Sequence, residues 1–394
     1  CIQTSHSRMW TGSAASSSDR ESQPLHDAVA GPAAACRAHK TDAAEKLRGE
    51  KGNRMNTTQR TALVTAIGSF SADAVIRTLR QEGWRIIGTD IYEADWVAAS
   101  LMVDAFYQAP YASEEEKYID FIRDICTREQ VIRILPLIDV EVDALNRHRA
   151  EIETGDCRIC MSPEKSIRIL RDKFEMKTLV DGVLDESPEE IRQAVRTIPT
   201  ERASEIDFET VSYPIILKPV DGRSSSGLYR IYQEDQLGFA FSSIMDPTKL
   251  EDSSLEHYLV QPMIKGHVIT VDVIRDSAGH CTAVPREELL RTPNGAGLSV
   301  RVFEDPVLEA ACRAIAARAE ILGCVNFEFI RGEGSGIYYF IECNPRFAGG
   351  VAFTELAEVP AVHMHLAIFD GGEISGEEKP VTGFMTRKYQ EFRM

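Results

Sequence analysis

From Thr61 onward the chain alternates between two hydrophobic periods. Thr61 to Ile67 reads as a strand, Ala72 to Glu82 spaces its apolar positions as an amphipathic helix does, and Trp84 to Thr89 is a second strand ending in Asp90. Lys117 to Glu129 repeats the helical spacing, and Ile132 to Leu137 is strand-like again. Strands alternating with helices predict a parallel α/β domain. The turn after the first strand, Gly68-Ser-Phe-Ser-Ala-Asp73, holds one glycine where a dinucleotide fingerprint needs three, so an NAD site is not expected.

Further along, Ser162-Pro163-Glu164 predicts a helix capped by Ser162 that runs to about Val180 and carries Lys173. Ser187-Pro188-Glu189-Glu190 predicts another, with Glu190 placed for a capping box. Pro306 to Leu322 is a third, whose Arg and Glu residues read as a solvated face. Residues 1–54 lack any period and hold Ser13-Ala-Ala-Ser-Ser-Ser18 and Gly31-Pro-Ala-Ala-Ala-Cys36, a composition too poor in apolar surface to order itself. They are expected to be a disordered or non-native leader ahead of a natural start at Met55.

The chemistry concentrates in two places. Cys324-Val-Asn326-Phe327-Glu328-Phe329 and Ile341-Glu342-Cys343-Asn344-Pro345-Arg346 flank the turn-forming loop Arg331-Gly-Glu-Gly-Ser-Gly336 and read as the arms of a β-hairpin. Side chains alternate along a strand, so Glu342 and Asn344 share a face, and Glu328 falls opposite Glu342 if the pairing sum is even. Two apposed carboxylates repel unless a divalent cation lies between them, and an all-oxygen set suits Mg²⁺ or Mn²⁺ over Zn²⁺. Arg346, just past the strand, is placed to meet a phosphate or carboxylate bidentately.

About a hundred residues upstream, the apolar run Pro214 to Leu217 ends in Lys218. A small-residue loop follows, with Gly222, Ser224, Ser225, Ser226 and Gly227, then a second strand to Tyr232. Such a loop lets backbone N–H groups approach phosphate oxygens, with a cation at its base. It differs from the G-x-x-x-x-G-K-[ST] loop, in which the lysine follows the glycines. The segment Asp221 to Gly227 is expected to act as a mobile lid over phosphates.

These motifs resemble the ATP-grasp superfamily over about Thr61 to Gly372, in a layout similar to carbamoyl phosphate synthetase relatives and carboxylate-amine ligases. The resemblance implies an N-terminal parallel Rossmann-like domain at 55–160, followed by a two-subdomain α+β ATP-grasp fold at 161–394 with a small lid subdomain at about 210–263. It implies that Lys173, Lys218, Gly222, Ser224, Ser225, Ser226 and Gly227 hold the nucleotide phosphates. In the same way it assigns adenine to the hinge at Gln261, Met263 and Ile264, metal to Glu328, Glu342 and Asn344, and a catalytic role to Arg346 and Lys218. Pro262 and Val268 stand where family members usually carry glutamates, which removes the customary carboxylate for a ribose hydroxyl and leaves His267 as a substitute. The implied reaction uses ATP and Mg²⁺ (or Mn²⁺) to turn a carboxylate into an acyl phosphate that an amine attacks. Arg286 and Arg291, in Pro285-Arg-Glu-Glu-Leu-Leu-Arg, are candidates to hold the acid. Two alternatives are bicarbonate phosphorylation and a nucleotide-binding module without catalysis.

Composition narrows the partners. With 394 residues, 43% hydrophobic and 27% charged, the chain can build two or three domains with cores. A net charge of −17 without Lys/Arg clusters argues against a general nucleic-acid binder, so an anionic nucleotide must be met by local cations, and Lys173, Lys218, Arg223 and Arg346 are that supply. Nine scattered cysteines without a framework or a secretory signal fit reduced thiols and a cytoplasmic location. Cys157-Arg-Ile-Cys160 lies in a short strand, where positions three apart face opposite sides, and reads as structural. No apolar run approaches membrane-spanning length. Small-molecule acids and amines are the expected partners, and a homodimer is compatible with the reading.

Overall fold

Residues 59–222, 226–245, 254–292 and 295–394 are described by a computed structural model. The leader expectation for residues 1–54 therefore lies outside the described residues, as do Arg223, Ser224 and Ser225 of the expected phosphate lid.

Strands β1 (Thr61–Val64), β2 (Arg85–Asp90), β3 (Ala105–Gln108), β4 (Arg133–Leu135) and β5 (Arg158–Ile159) form a parallel sheet in the order β3-β2-β1-β4-β5. All four residues of β1 are buried because helices cover both faces, as a parallel sheet requires. Helix Ala72–Gln81 packs on one side, and helices Glu115–Glu129 and Asp139–Arg147 pack on the other. The pattern did not reveal β3, whose Ala105, Phe106 and Tyr107 are only half-buried at the sheet edge.

Two expected helices differ in detail. A break at Asp172 divides the first into Glu164–Arg171 and Lys173–Glu186. Asp172 is extended, and its Oδ1 accepts the N–H groups of Phe174 and Glu175, both at 2.8 Å, so it caps a new helix whose first residue is Lys173. The capping box at Ser187 does not form: its hydroxyl donates back to Val183 O at 2.7 Å, and helix Glu189–Ala194 starts after Pro188. Helix Pro306–Arg318 is capped by Asp305, which accepts from Val307 and Leu308.

The remaining strands are β6 (Val195–Thr197), β7 (Glu201–Arg202), β8 (Ile215–Pro219), β9 (Tyr229–Ile231), β10 (Tyr258–Pro262), β11 (Gly266–Arg275), β12 (Cys281–Arg291), β13 (Gly297–Val302), β14 (Gly323–Gly332), β15 (Tyr338–Asn344) and β16 (Gly383–Thr386). They make a small sheet, β7-β10-β8-β9, and a large one, β16-β13-β12-β11-β14-β15-β6. Only Met263, Ile264 and Lys265 separate β10 of the small sheet from β11 of the large one, so they form the hinge between the two.

Alternation sorts the large sheet into two faces. Ile269, Val271, Val273, Phe327, Phe329 and Phe340 bury against helices Lys173–Glu186 and Pro306–Arg318. The opposite residues, Ile274, Val284 and Cys324 among them, pack on the N-terminal sheet's helix Ala72–Gln81 and on helix Ala361–Phe369. The two domains thus share a core.

His365 lies at that junction. Its Nδ1 accepts the Cys324 N–H at 2.9 Å and its Nε2 faces Cys160 O at 3.2 Å, which requires the neutral ring with the proton on Nε2. Burial pulls its pKa from 6.5 down to about 3. The unfolded chain therefore binds this proton below about pH 6.5 while the folded chain does not until about pH 3, so stability falls as pH drops through that window. Gln at this position can make the same two hydrogen bonds without titrating. Urea unfolding at pH 7 and pH 5 should show the parent losing about 2 kcal/mol relative to His365→Gln over that interval; an unchanged difference would place the protonation elsewhere.

Candidate active site

The hairpin forms as the sequence implies, with Glu328 of β14 directly opposite Glu342 of β15 and Asn326 opposite Asn344. The pairing sum changes along it. Phe329 pairs with Phe340, so a regular ladder would bring Ile341 opposite Glu328. A β-bulge at this point shifts the register by one residue. It turns Cys343 onto the apolar face and sets Glu342 and Asn344 beside Glu328 on the other. The hairpin is also no edge, since β11 flanks one arm and β6 the other.

Burial pushes the Glu328 carboxyl up to about 7; Arg291 opposes the shift, and the neighbouring Glu342 and Glu288 carboxylates add to it. Arg291 Nη2 donates to Glu328 Oε1 at 3.0 Å. Two cations reach the same acids from elsewhere. Lys173 Nζ lies 3.5 Å from Glu342 Oε2 and donates to Gly222 O at 2.5 Å. Lys218, on β8, is 6% exposed, and burial lowers its pKa to about 8 against the pull of Glu342 and Glu328. Among the described residues no carboxylate contacts this buried ammonium, and such a group favours an anionic ligand. Lys218 from the small sheet and Lys173 from a helix packed on the large one are thus both drawn electrostatically to the acids of β14 and β15.

Arg346 is held by three contacts. Its Nη2 donates to Asp139 Oδ2 at 2.8 Å and to Asn344 Oδ1 at 3.2 Å, and its Nη1 donates to Phe347 O at 3.1 Å. Asp139 belongs to the N-terminal domain and is buried. Burial alone would raise its pKa, but the charges of Arg346, Arg171 and Lys173 hold it below the usual carboxylate value. Motif reading missed this residue, because the bond spans 207 positions. Glu288 was also missed. It is 9% exposed, accepts from Thr270 Oγ1 at 2.7 Å, and leaves Oε2 unpartnered among the described residues.

The other expected residues divide. Gly222 and Gly227 are required as glycines: a Cβ at 222 would fall 2.3 Å from the Pro219 ring, and Gly227 has φ +70° with the Tyr258 hydroxyl 2.9 Å from a Cβ. Ser226 is exposed beside them. At the hinge, Gln261 is spent on Thr200 (Nε2 to Oγ1, 2.7 Å) and the Met263 N–H on Pro214 O at 3.0 Å, while Ile264 is half-buried. His267 is mostly exposed and turns to Glu287, its Nδ1 3.3 Å from Oε1. Arg286 requires a correction. It is fully buried, and its guanidinium is taken up by Asp272 and Thr354, so it is not presented to a substrate. Arg291 does stand at the acids.

Among the described residues no three His, Cys, Asp or Glu side chains converge as a closed metal cluster. The donors here are two carboxylates and an amide on one face. They fit Mg²⁺, which is usually held by few protein oxygens together with phosphate and water. The seven described cysteines are free, and no described helix is long and apolar enough to cross a membrane.

Residues 254–392 match a family model described as "ATP-grasp in the biosynthetic pathway with Ter operon", and residues 63–160 match "PylC-like, N-terminal domain". The chain is 26% identical over 332 residues to the carbamoyl phosphate synthase large chain of Thermomicrobium roseum, covering 80% of this chain but 29% of that protein. The fold is similar to that of biotin carboxylase from Campylobacter jejuni, solved as a complex with β-γ-ATP (TM-score 0.65, 19% identity, 82% and 73% of the two chains). It is also similar to N5-carboxyaminoimidazole synthetase from Staphylococcus aureus (TM-score 0.63, 16% identity, 83% and 82%).

Proposed function

We propose, from the premise that the chain belongs to the ATP-grasp superfamily, that it is an ATP-dependent ligase that activates a carboxylate for attack by an amine. One observation carries the reading: the paired carboxylates Glu328 and Glu342, on a face made by a bulge, draw Lys173 from its helix and Lys218 from the small sheet to one place. That arrangement suits a polyphosphate bridged to the acids by a metal ion. Glu328, Glu342 and Asn344 would hold Mg²⁺ or Mn²⁺, which supplies charge neutralisation to phosphate oxygens when bound.

Each residue then has a task. Lys173, at the first position of its helix, and Lys218 bind phosphate oxygens, and the glycines at 222 and 227 let the backbone at those two positions approach them. Asp139 fixes the Arg346 guanidinium beside Asn344, so Arg346 meets charge on the transferring phosphoryl group without having to reorganise. Arg291 stands next to Glu328, where an acid substrate would be held. We place the enzyme in the cytoplasm, acting on small molecules, with no nucleic-acid partner and with a homodimer as one assembly it allows. The same reading sets the limit between the domains at 160 and 161 and makes the small sheet the core of a lid subdomain at about 210–263.

The test is ADP release across pairs of carboxylic acids and amines, with hydroxylamine added to trap acyl phosphate as hydroxamate. Acid-dependent hydroxamate formation is the expected result. Similarity to carbamoyl phosphate synthase and biotin carboxylase makes bicarbonate the second acid to examine. ADP release with bicarbonate alone would select that reading, and no ADP release with any acid would overturn both.

A further inference from the structure

A crevice of about 960 Å³ opens at the carboxyl ends of β1 and β2, away from the carboxylate pair. Phe70, Tyr92, Trp96, Phe353, Tyr389 and Phe392 line it. Tyr92 and Trp96 stack with ring centroids 6.2 Å apart, and Trp96 is 74% exposed, a large aromatic surface left open to solvent. Such exposed aromatic area in a concave site is the usual mark of a ligand seat.

The charges within it are unequal in their partners. The three acids of the crevice each have partners: Asp73 pairs with Arg77 at 2.8 Å, Asp90 accepts the N–H groups of Gly68 at 2.8 Å and Tyr92 at 3.2 Å, and Glu355 Oε1 accepts the Val362 N–H at 2.8 Å. Arg387 is half-buried between the ring of Phe70, 4.8 Å from its guanidinium, and that of Phe353 at 5.3 Å. Its Nη2 donates to Gly349 O at 2.7 Å, and among the described residues no carboxylate pairs with it. Burial lowers its pKa, with Tyr389, Asp73 and Glu288 opposing only from a distance. A desolvated guanidinium stacked on aromatic rings is a preformed clamp for a planar anion.

The crevice wall reaches toward Ala296: a Cβ on Gly349 would meet Ala296 at 3.4 Å and Phe70 at 3.5 Å, and Ala296 lies five residues along the chain from Arg291, which bonds Glu328. We propose that this crevice binds a small carboxylic acid bearing an aromatic ring, its carboxylate on Arg387 and its ring against Tyr92 and Trp96. The inference rests on the ligase reading above and specifies the class of one of its substrates.

Binding is measured without nucleotide, so the outcome is independent of whether ATP is turned over. Calorimetry with phenylacetate, phenylacetamide and acetate separates the ring from the charge. Phenylacetate should bind saturably and at least about tenfold tighter than either of the others, as one charge-assisted pair plus ring burial requires. Arg387→Met should bring phenylacetate down to the level of phenylacetamide. Because Arg387 also packs on Phe70 and Phe353, Trp96→Ala serves as the second variant, since an exposed side chain can be removed without unfolding the chain. It should weaken phenylacetate and leave acetate unchanged. Equal binding of phenylacetate and phenylacetamide, or parent-like phenylacetate affinity in folded Trp96→Ala, would overturn the proposal.

Discussion

Glu342→Gln is expected to lose ATP turnover by about 100-fold or more while keeping the parent's melting temperature, because it removes a charge and preserves shape. The side chain is half-buried, and its one direct ionic contact among the described residues is with Lys173 at 3.5 Å, so little folding energy depends on it. The catalytic demand is different. Two acids paired across a ladder are unfavourable neighbours: burial raises the Glu328 pKa most and the Glu342 charge adds to it, and a cation bound to phosphate is what makes both useful. With an amide at 342 the cation loses half its anionic support, and Lys173 is released from its partner. ADP production should therefore fall, and ATP-analogue binding should become insensitive to chelator. Parent-like ADP production by a folded Glu342→Gln protein would remove the metal assignment.

Much of this site was legible because its chemistry is local in sequence. Glu328, Glu342, Asn344 and Arg346 lie on one hairpin, and turn residues announce where it folds. Lys218 could be read for the same reason, at the end of an apolar run before a small-residue loop. The bulge could not be read. Alternation counted from Phe340 would send Glu342 to the apolar face, and the extra residue Ile341 lets Phe340 and Cys343 enter the same core. Asp139 was illegible because its partner lies in another domain. The helix break at Asp172 left a sequence trace, an Asp at the N-cap two residues before Phe174, but the continuous apolar period on both sides concealed it.

Arg286 was misread for a physical reason that makes it the more consequential site for stability. An arginine in Pro285-Arg-Glu-Glu looks solvated, yet its alternation partner on β11 is Thr270, on the face where the two domains meet. There it is fully buried. It donates to Asp272 Oδ2 at 2.6 Å and Oδ1 at 3.1 Å and to Thr354 Oγ1 at 2.6 Å, while Asp272 also accepts from Thr354 and Asn326. Arg286→Met keeps most of the volume but leaves Asp272 as a buried charge whose remaining partners are neutral. Such a deletion costs about 3–5 kcal/mol, because what is lost is the compensation for a desolvated carboxylate as well as the pair itself. Arg286→Lys should recover only part of this, since one ammonium cannot replace two guanidinium nitrogens in a bidentate contact. The double variant Arg286→Met/Asp272→Asn removes both charges and should be more stable than Arg286→Met alone. Urea unfolding of the three variants decides the matter. If Arg286→Met unfolds within about 1 kcal/mol of the parent, below the range for an orphaned buried charge, the pair does not hold the domain junction.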